Sequence, residues 1–290
     1  MVWALVTLAA VAALVGIAGW YVSEQIIRRR KPDRTASPSD FGLEYEDVSF
    51  TSEDEIPLQG WLIPAGNRRR AVIFLHGHAG SMDPDVKYAP WFHECGIAVL
   101  MFDFRGHGRS GGQCVSMGYY ERRDLLAAEE FLLQRGYQKI GVLGFSMGGA
   151  VAIAGSPLSQ RIVTVAADGS FVWLSSAIRV GIEERGVPRA LAAPIARLAV
   201  WIAGRRLGAN LDEAAPALWA GKIAPRALLL IHGEEDPYTS TEEVRAMFAA
   251  ADEPKELWVV PFAGHRNVDD VEPEAYKERV IGFFDRWLGE

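Results

Sequence analysis

One stretch of this chain, residues 140–154, restricts the fold more than any other. It reads IGVLGFSMGGAVAIA. The apolar run Ile140–Leu143 has the length and branching of a strand buried on both faces, and an apolar helical pattern follows the run. The pentapeptide GFSMG at residues 144–148 lies between the two, where the chain must turn sharply. The stretch therefore predicts a strand, a tight turn and a helix that covers one face of a sheet.

The same turn makes Ser146 a candidate nucleophile. A residue on so tight a turn has a strained backbone, and its neighbours two positions away, here Gly144 and Gly148, must lack side chains that would collide. The turn also leaves the amide of Met147 at a helix N-terminus, where negative charge is favoured. A glycine-rich turn with an ordinary serine is the alternative. Because a serine hydroxyl is a weak nucleophile, the hypothesis requires a base and an acid elsewhere in the chain.

The composition excludes several classes of protein. With 49% apolar and 23% charged residues, the 290-residue chain is globular and long enough to bury one large core. A net charge of −7 argues against nucleic acid as a partner. Cys95 and Cys114 have neither disulfide nor metal spacing, and the sequence contains no HExxH motif. We therefore expect no metal, no cofactor and no nucleic-acid partner.

The first 22 residues have the character of a membrane anchor. They carry no charged side chain and are long enough to cross a bilayer as a helix. A cleaved signal peptide would have its basic residues before a shorter apolar core, whereas here Arg28–Lys31 follows the apolar run. The sequence thus predicts a retained single-pass anchor over residues 1–22 and a basic, Pro/Ser-containing linker over residues 23–40. The positive-inside rule places the remaining chain in the cytoplasm.

Strand and helix patterns alternate after the linker, over a predicted domain of residues 41–290. Strands are predicted at Leu43–Ser49, Leu58–Ile63, Ala71–Leu75, Ile97–Asp103, Ile140–Leu143, Ile162–Ala167, Ala227–Ile231 and Leu257–Val260. Helices are predicted at Tyr119–Arg135, Thr241–Ala251 and Glu272–Leu288, besides the helix after the GFSMG turn. The alternation favours a doubly wound, mostly parallel sheet that begins with an antiparallel hairpin. It stops over about residues 170–224, where helical patterns predict an inserted cap; one long helical crossover is the alternative.

Three polar residues follow three of the predicted strands. Ser146 comes after the fifth strand, Asp236 after the seventh and His265 after the eighth. Because the carboxyl ends of parallel strands meet at one edge of a sheet, we expect these side chains to lie together. Asp168 also ends a strand and is a second candidate for the acid. His76, His107 and His232 are better explained as histidines that brace loops.

These ordered motifs resemble those of the α/β-hydrolase superfamily, in which nucleophile, acid and base follow in this order. The resemblance is greatest to its single-pass, membrane-anchored serine hydrolases, which carry a His-Gly-x-x-Gly loop; here residues 76–80 read HGHAG. It covers about Leu43–Leu288 and implies an α/β-hydrolase fold with a helical cap.

The resemblance also implies a role for each candidate. Ser146 would be the nucleophile, His265 the general base and then acid, and Asp236 the carboxylate that orients the imidazole. The backbone amides of Met147 and His78 would form the oxyanion hole, although a neighbour of His78 is an alternative donor.

A serine at the turn indicates acyl transfer to water through an acyl-enzyme. The aromatic residues Phe171, Trp173 and Trp201 of the cap are candidates for an apolar pocket, with an ordinary cap core as the alternative. An apolar lining favours a small apolar acyl ester or thioester as substrate. The sequence thus predicts a carboxylesterase-like or lipase-like serine hydrolase. The alternatives are a peptidase of the prolyl oligopeptidase type and a non-catalytic, membrane-tethered binding protein.

Overall fold

The computed structural model describes residues 2–66 and 69–289; residues 1, 67, 68 and 290 of the predicted anchor and domain lie outside this range. The strands are β1 Glu46–Thr51, β2 Pro57–Ile63, β3 Arg70–Leu75, β4 Ala98–Phe102, β5 Lys139–Phe145, β6 Ile162–Asp168, β7 Ala227–Gly233 and β8 Lys255–Val260. The α-helices are α1 Val2–Ile27, α2 Ala89–Glu94, α3 Glu121–Gln134, α4 Met147–Gly155, α5 Leu174–Glu183, α6 Arg189–Leu207, α7 Thr241–Ala250, α8 Val268–Val271 and α9 Pro273–Leu288.

The eight strands form one sheet in the order β1-β2-β4-β3-β5-β6-β7-β8. The β1–β2 and β2–β4 pairs are antiparallel, and the other pairs are parallel. Successive residues of β3 belong to different cores: Ile73 packs on the side of α3 and α4, and Phe74 on the side of α2 and α9. The predicted mostly parallel, doubly wound sheet is confirmed, and each predicted strand corresponds to one of the eight.

The helical insertion lies between β6 and β7. It contains α5, α6 and three short 3₁₀ turns at Leu211–Ala214, Pro216–Leu218 and Ala220–Lys222. A turn around Gly186, whose φ is +83°, separates α5 from α6. The insertion is therefore a pair of helices rather than one long crossover, and we call it the cap.

Helix α1 has two different halves. Side chains of the first half are exposed, including Trp3 at 84% and Leu14 at 65%. Near the other end Gly19, Ser23 and Ile26 are buried, at the i, i+4 and i+7 spacing of one helix face. The helix is long and apolar enough to span a membrane. It continues to Ile27, five residues beyond the predicted end of the anchor at position 22, and Ile26 and Ile27 belong to the domain core.

The segment after α1 is fixed to the domain. The Arg29 guanidinium donates to the carbonyls of Gly108, at 3.2 Å, and Ser110, at 2.7 Å. The carboxylate of Asp33 accepts from the amide of Ser81 at 2.7 Å. Residues 28–33, which the sequence predicts to be linker, thus connect α1 rigidly to the loops after β3 and β4.

Helix α1 also packs against the cap. An ideal Cβ added at Gly19 would lie 3.0 Å from the Leu198 side chain of α6, so the two helices approach closely there. Further along both helices, Arg206 donates to the Glu24 carboxylate at 2.6 Å. The residue numbers of both helices increase from the first contact to the second, so α1 and α6 run in the same direction.

Candidate active site

The turn between β5 and α4 is as tight as the GFSMG motif predicts. Ser146 has φ +52° and ψ −113°, a strained conformation for a residue with a side chain. A Cβ at Gly144 would lie 2.2 Å from the carbonyl oxygen of Gly148, and a Cβ at Gly148 would lie 1.9 Å from that of Leu75. Both positions therefore require glycine, and their backbones hold Ser146 at the end of β5.

Ser146, His265 and Asp236 form a continuous hydrogen-bonded series. The Ser146 Oγ lies 3.0 Å from His265 Nε2, and His265 Nδ1 lies 2.7 Å from Asp236 Oδ2. The buried Asp236 carboxylate also accepts from the amide of Tyr238 at 2.8 Å, which fixes its orientation. The three side chains come from the loops after β5, β7 and β8. A hydroxyl joined in this way to an imidazole can give up its proton and receive it back.

Asp168, the second candidate for the acid, has other partners. Its carboxylate accepts from the Tyr276 hydroxyl at 2.8 Å and lies 3.7 Å from Arg266 Nε. Burial raises the pKa of this carboxyl, and the Arg266 guanidinium opposes that shift. The backbone oxygen of Asp168 accepts from the Ser146 amide at 2.8 Å. Asp168 thus supports the turn while Asp236 contacts the imidazole.

The proposed oxyanion donors lie beside Ser146. Met147 and His78 both line the cavity into which Ser146 opens. Met147 is the first residue of α4, so its amide has no acceptor within the helix. The His78 ring lies at the end of α1, with Nε2 3.1 Å from the Ile26 carbonyl oxygen and 3.1 Å from the Arg30 guanidinium. The loop that carries His78 is therefore in contact with the end of α1.

Three neighbouring histidines are neutral in the folded protein. Burial lowers the pKa of His76 to about 4 and that of His107 to about 4. Burial, reinforced by the Arg30 cation, lowers the pKa of His78 to about 3. The His76 Nε2 accepts from the amide of Phe104 at 3.0 Å, which agrees with a loop-bracing role.

A cavity of about 680 Å³ lies above Ser146 and His265. This volume is typical of a site for a small organic ligand. Its apolar lining comes from α1, α5 and the segments around them: Tyr21, Val22, Ile26, Met117, Met147, Phe171, Leu174, Ala177, Ile178 and Ile182. The largest apolar contribution therefore comes from two helices, one of them the N-terminal helix.

The pocket residues predicted from the cap need correction. Phe171 lines the cavity, but Trp173 and Trp201 are absent from the described lining and are 38% and 62% exposed. Trp201 lies on α6, which packs against α1 and α5 outside the cavity. For Trp201 the alternative of ordinary cap structure therefore fits better, and side chains of α1 line the cavity.

The sequence prediction missed two residues that surround His265. The ring of Tyr238 meets the imidazole edge to face, with centroids 4.9 Å apart. Arg266 pairs with Asp85 at 2.9 Å, and its guanidinium lies 4.0 Å from the centroid of the Phe145 ring. Each follows a predicted site residue by one or two positions. That proximity in sequence was the available signal.

Known proteins share this architecture. Residues 66–217, more than half of the chain, match the Hydrolase_4 family, described as serine aminopeptidase S33. The esterase Pf2001 of Pyrococcus furiosus is 31% identical, with a TM-score of 0.75 over 90% of this chain and 99% of that chain. The uncharacterized protein YfhR of Escherichia coli strain K12 is 28% identical over 250 residues, 82% of this chain and 80% of that protein. Protein bem46 of Schizosaccharomyces pombe is 28% identical over 154 residues, about half of each chain.

The family match covers more than half of the chain, and the similarity to the Pyrococcus furiosus structure extends over nine-tenths of it. The predicted α/β-hydrolase fold is thereby confirmed. The chain belongs to the Hydrolase_4 family of serine hydrolases with the α/β-hydrolase fold.

Proposed function

We propose that this protein hydrolyses carboxylic esters, or acyl thioesters, through an acyl-enzyme on Ser146. The observation that carries the proposal is the hydrogen-bonded series from Ser146 through His265 to Asp236, which opens into an apolar cavity. The similarity to an esterase of Pyrococcus furiosus supports the same reaction class.

The geometry supports a reaction in two steps. His265 takes the proton of the Ser146 hydroxyl as Oγ attacks the ester carbonyl, and Asp236 stabilises the imidazolium that forms. The amides of Met147 and His78 bind the oxyanion, and the alcohol leaves with the proton held by His265. Water then attacks the acyl-enzyme with His265 as base, releases the carboxylic acid and restores the Ser146 hydroxyl.

An ester is a better substrate for this cavity than a peptide. Most side chains from α1 and α5 that line it are apolar, and its charged lining is mainly basic, with Arg30, Arg185 and Arg266. The cationic amino terminus of a peptide requires a carboxylate inside the site. The carboxylate of Glu184 belongs to the lining but is exposed. An aminopeptidase, the activity in the family description, is therefore the second candidate, and a non-catalytic binding protein is the third.

We also propose that α1 is a retained membrane anchor with the domain on the cytoplasmic side. A helix of 26 residues is about 39 Å long and can cross a hydrocarbon core of about 30 Å. The basic residues Arg28–Lys31 directly follow it and favour that orientation. The burial of Ile26 and the contacts of Arg29 argue that the helix remains part of the protein, since its removal would expose the core.

The test compares ester and aminoacyl substrates on the full-length protein in detergent. Ser146→Ala should lower kcat on a p-nitrophenyl ester by several orders of magnitude, because no other group replaces the nucleophile. Ser176→Ala, a half-buried serine of the cap, is the matched control and should retain activity. Ester hydrolysis that survives in Ser146→Ala would overturn the assignment, and faster cleavage of an aminoacyl p-nitroanilide would favour the peptidase.

A further inference from the structure

The C-terminal turns of α1 form a wall of the active-site cavity. Tyr21, Val22, Gln25 and Ile26 line it on one side, and α5 lines it on another. Val22 is half-buried, lines the cavity and packs on the cluster that contains Ile182 of α5. A membrane anchor that served as a tether alone would have no reason to reach the catalytic serine.

Contacts with the oxyanion loop fix this wall relative to Ser146. The His78 ring lies 3.1 Å from the backbone oxygen of Ile26, and Arg30 donates to the backbone oxygen of Gln25 at 2.7 Å. The Arg30 guanidinium lies 3.1 Å from the same ring. Any displacement of the end of α1 would therefore move the loop that carries His78.

The wall is continuous with the lipid-accessible surface of the same helix. Trp20 and Tyr21 are 57% and 64% exposed at the level where the cavity begins, and aromatic residues of this kind favour the membrane interface. The end of α5 lies close to this part of α1, because Val15 and Ala18 of α1 pack on the cluster that contains Ile182. Tyr21 belongs both to the cavity lining and to this exposed surface, so the space between α1 and α5 begins beside exposed side chains of α1.

We propose that the end of α1 binds the acyl chain of a membrane-resident ester, which enters the cavity from the bilayer between α1 and α5. This inference rests on the proposed esterase function and names its substrate class, an ester with a long aliphatic acyl chain. The hydrolysis itself is unchanged: Ser146 takes the acyl group, the alcohol leaves protonated, and water releases the fatty acid. The anchor thus determines specificity as well as location.

The proposal makes the activity depend on chain length. Each methylene buried against the wall of α1 and α5 should raise kcat/KM by about fourfold, which corresponds to about 0.8 kcal/mol, until the cavity is filled. A soluble substrate with a short acyl group would leave most of this wall unused.

The experiment makes the space beside the α1 wall smaller in one variant and larger in another. Both variants are full-length protein reconstituted in nanodiscs. Val22→Trp fills the space beside α5, and Val22→Ala enlarges it. The matched control is Val11→Trp, which lies three turns earlier on the same helix face at a position 40% exposed. For each protein kcat/KM is measured on p-nitrophenyl butyrate and p-nitrophenyl palmitate. Labelling of Ser146 by a short and a long alkyl fluorophosphonate is measured in parallel.

We expect Val22→Trp to lower the palmitate-to-butyrate ratio at least tenfold and Val11→Trp to leave it within twofold. Val22→Ala should keep or raise the ratio. The ratio of the two kcat/KM values does not depend on the fraction of folded protein. A destabilised variant therefore still tests the proposal. Equal ratios in wild type and both Val22 variants, with butyrate hydrolysed, would overturn the acyl wall and leave the esterase function standing. A folded wild type that hydrolyses neither ester and takes no fluorophosphonate would contradict the esterase function itself.

Discussion

At the residue scale, the histidines under the oxyanion loop show how burial sets protonation. The rings of His76 and His107 have centroids 4.9 Å apart, and those of His78 and His107 are 6.2 Å apart. Three imidazolium ions could not coexist at these distances in a buried site. The neutral state of this cluster is therefore a condition for the loop geometry beside Ser146.

This cluster predicts a loss of stability in mild acid. The folded-state pKa values of His76 and His107, about 4, lie below the unfolded value of 6.5. The unfolded chain therefore binds more protons as the pH falls below about 6.5, and the free energy of unfolding decreases from there toward pH 4. Between pH 7.5 and 5 we expect a loss of roughly 1–2 kcal/mol for each of these two rings.

Urea unfolding at the two pH values measures the effect. His107→Gln should be less stable than wild type at pH 7.5 but should lose less stability on acidification. His93→Gln, at an exposed position, is the control and should follow wild type at both pH values. The buried Asp124, whose pKa is raised to about 7 by burial, acts in the opposite direction, so the comparison between variants carries the test. A His107→Gln variant that loses as much stability on acidification as wild type would contradict the neutral cluster.

At the element scale, the strands of the sheet could be predicted from the sequence, but the packing of α1 on α6 could not. Buried parallel strands such as β3 and β7 are mostly continuous apolar runs, and such runs predict burial on both faces of the sheet. In α1 the face that meets α6, with Ala18 and Gly19, is as apolar as the exposed face. Hydropathy cannot distinguish a lipid-facing side chain from one that packs on another helix.

The close approach of α1 and α6 can be tested with one pair of substitutions. Gly19→Leu would force a side chain against Leu198, whereas Gly16→Leu enters open space, since nothing lies within 4 Å of its Cβ position. The change in helix propensity is the same in both, so the difference reports packing. We expect Gly19→Leu to lower the unfolding free energy by about 1–3 kcal/mol relative to Gly16→Leu. Equal thermal stability of the two variants in detergent would show that α1 does not pack on α6.

At the scale of the whole molecule, chain order and tertiary packing account for different parts of the site. The sequence brings Ser146, Asp236 and His265 to one sheet edge because each follows a parallel strand, and the structure hydrogen-bonds them there. The cavity depends on which helices cover that edge, and no local pattern specifies this. Trp201 illustrates the point: it is a large aromatic residue of the cap, yet its face of α6 points away from the cavity.

We propose above all that Ser146 is the nucleophile of an acyl-transfer site. The most direct measurement is peptide mass spectrometry of the full-length protein after reaction with a fluorophosphonate. We predict one adduct, on the peptide that contains Ser146, and a strong loss of that adduct in His265→Ala, which lacks the general base. A folded protein whose Ser146 remains unmodified, or whose adduct lies on another residue, would contradict it.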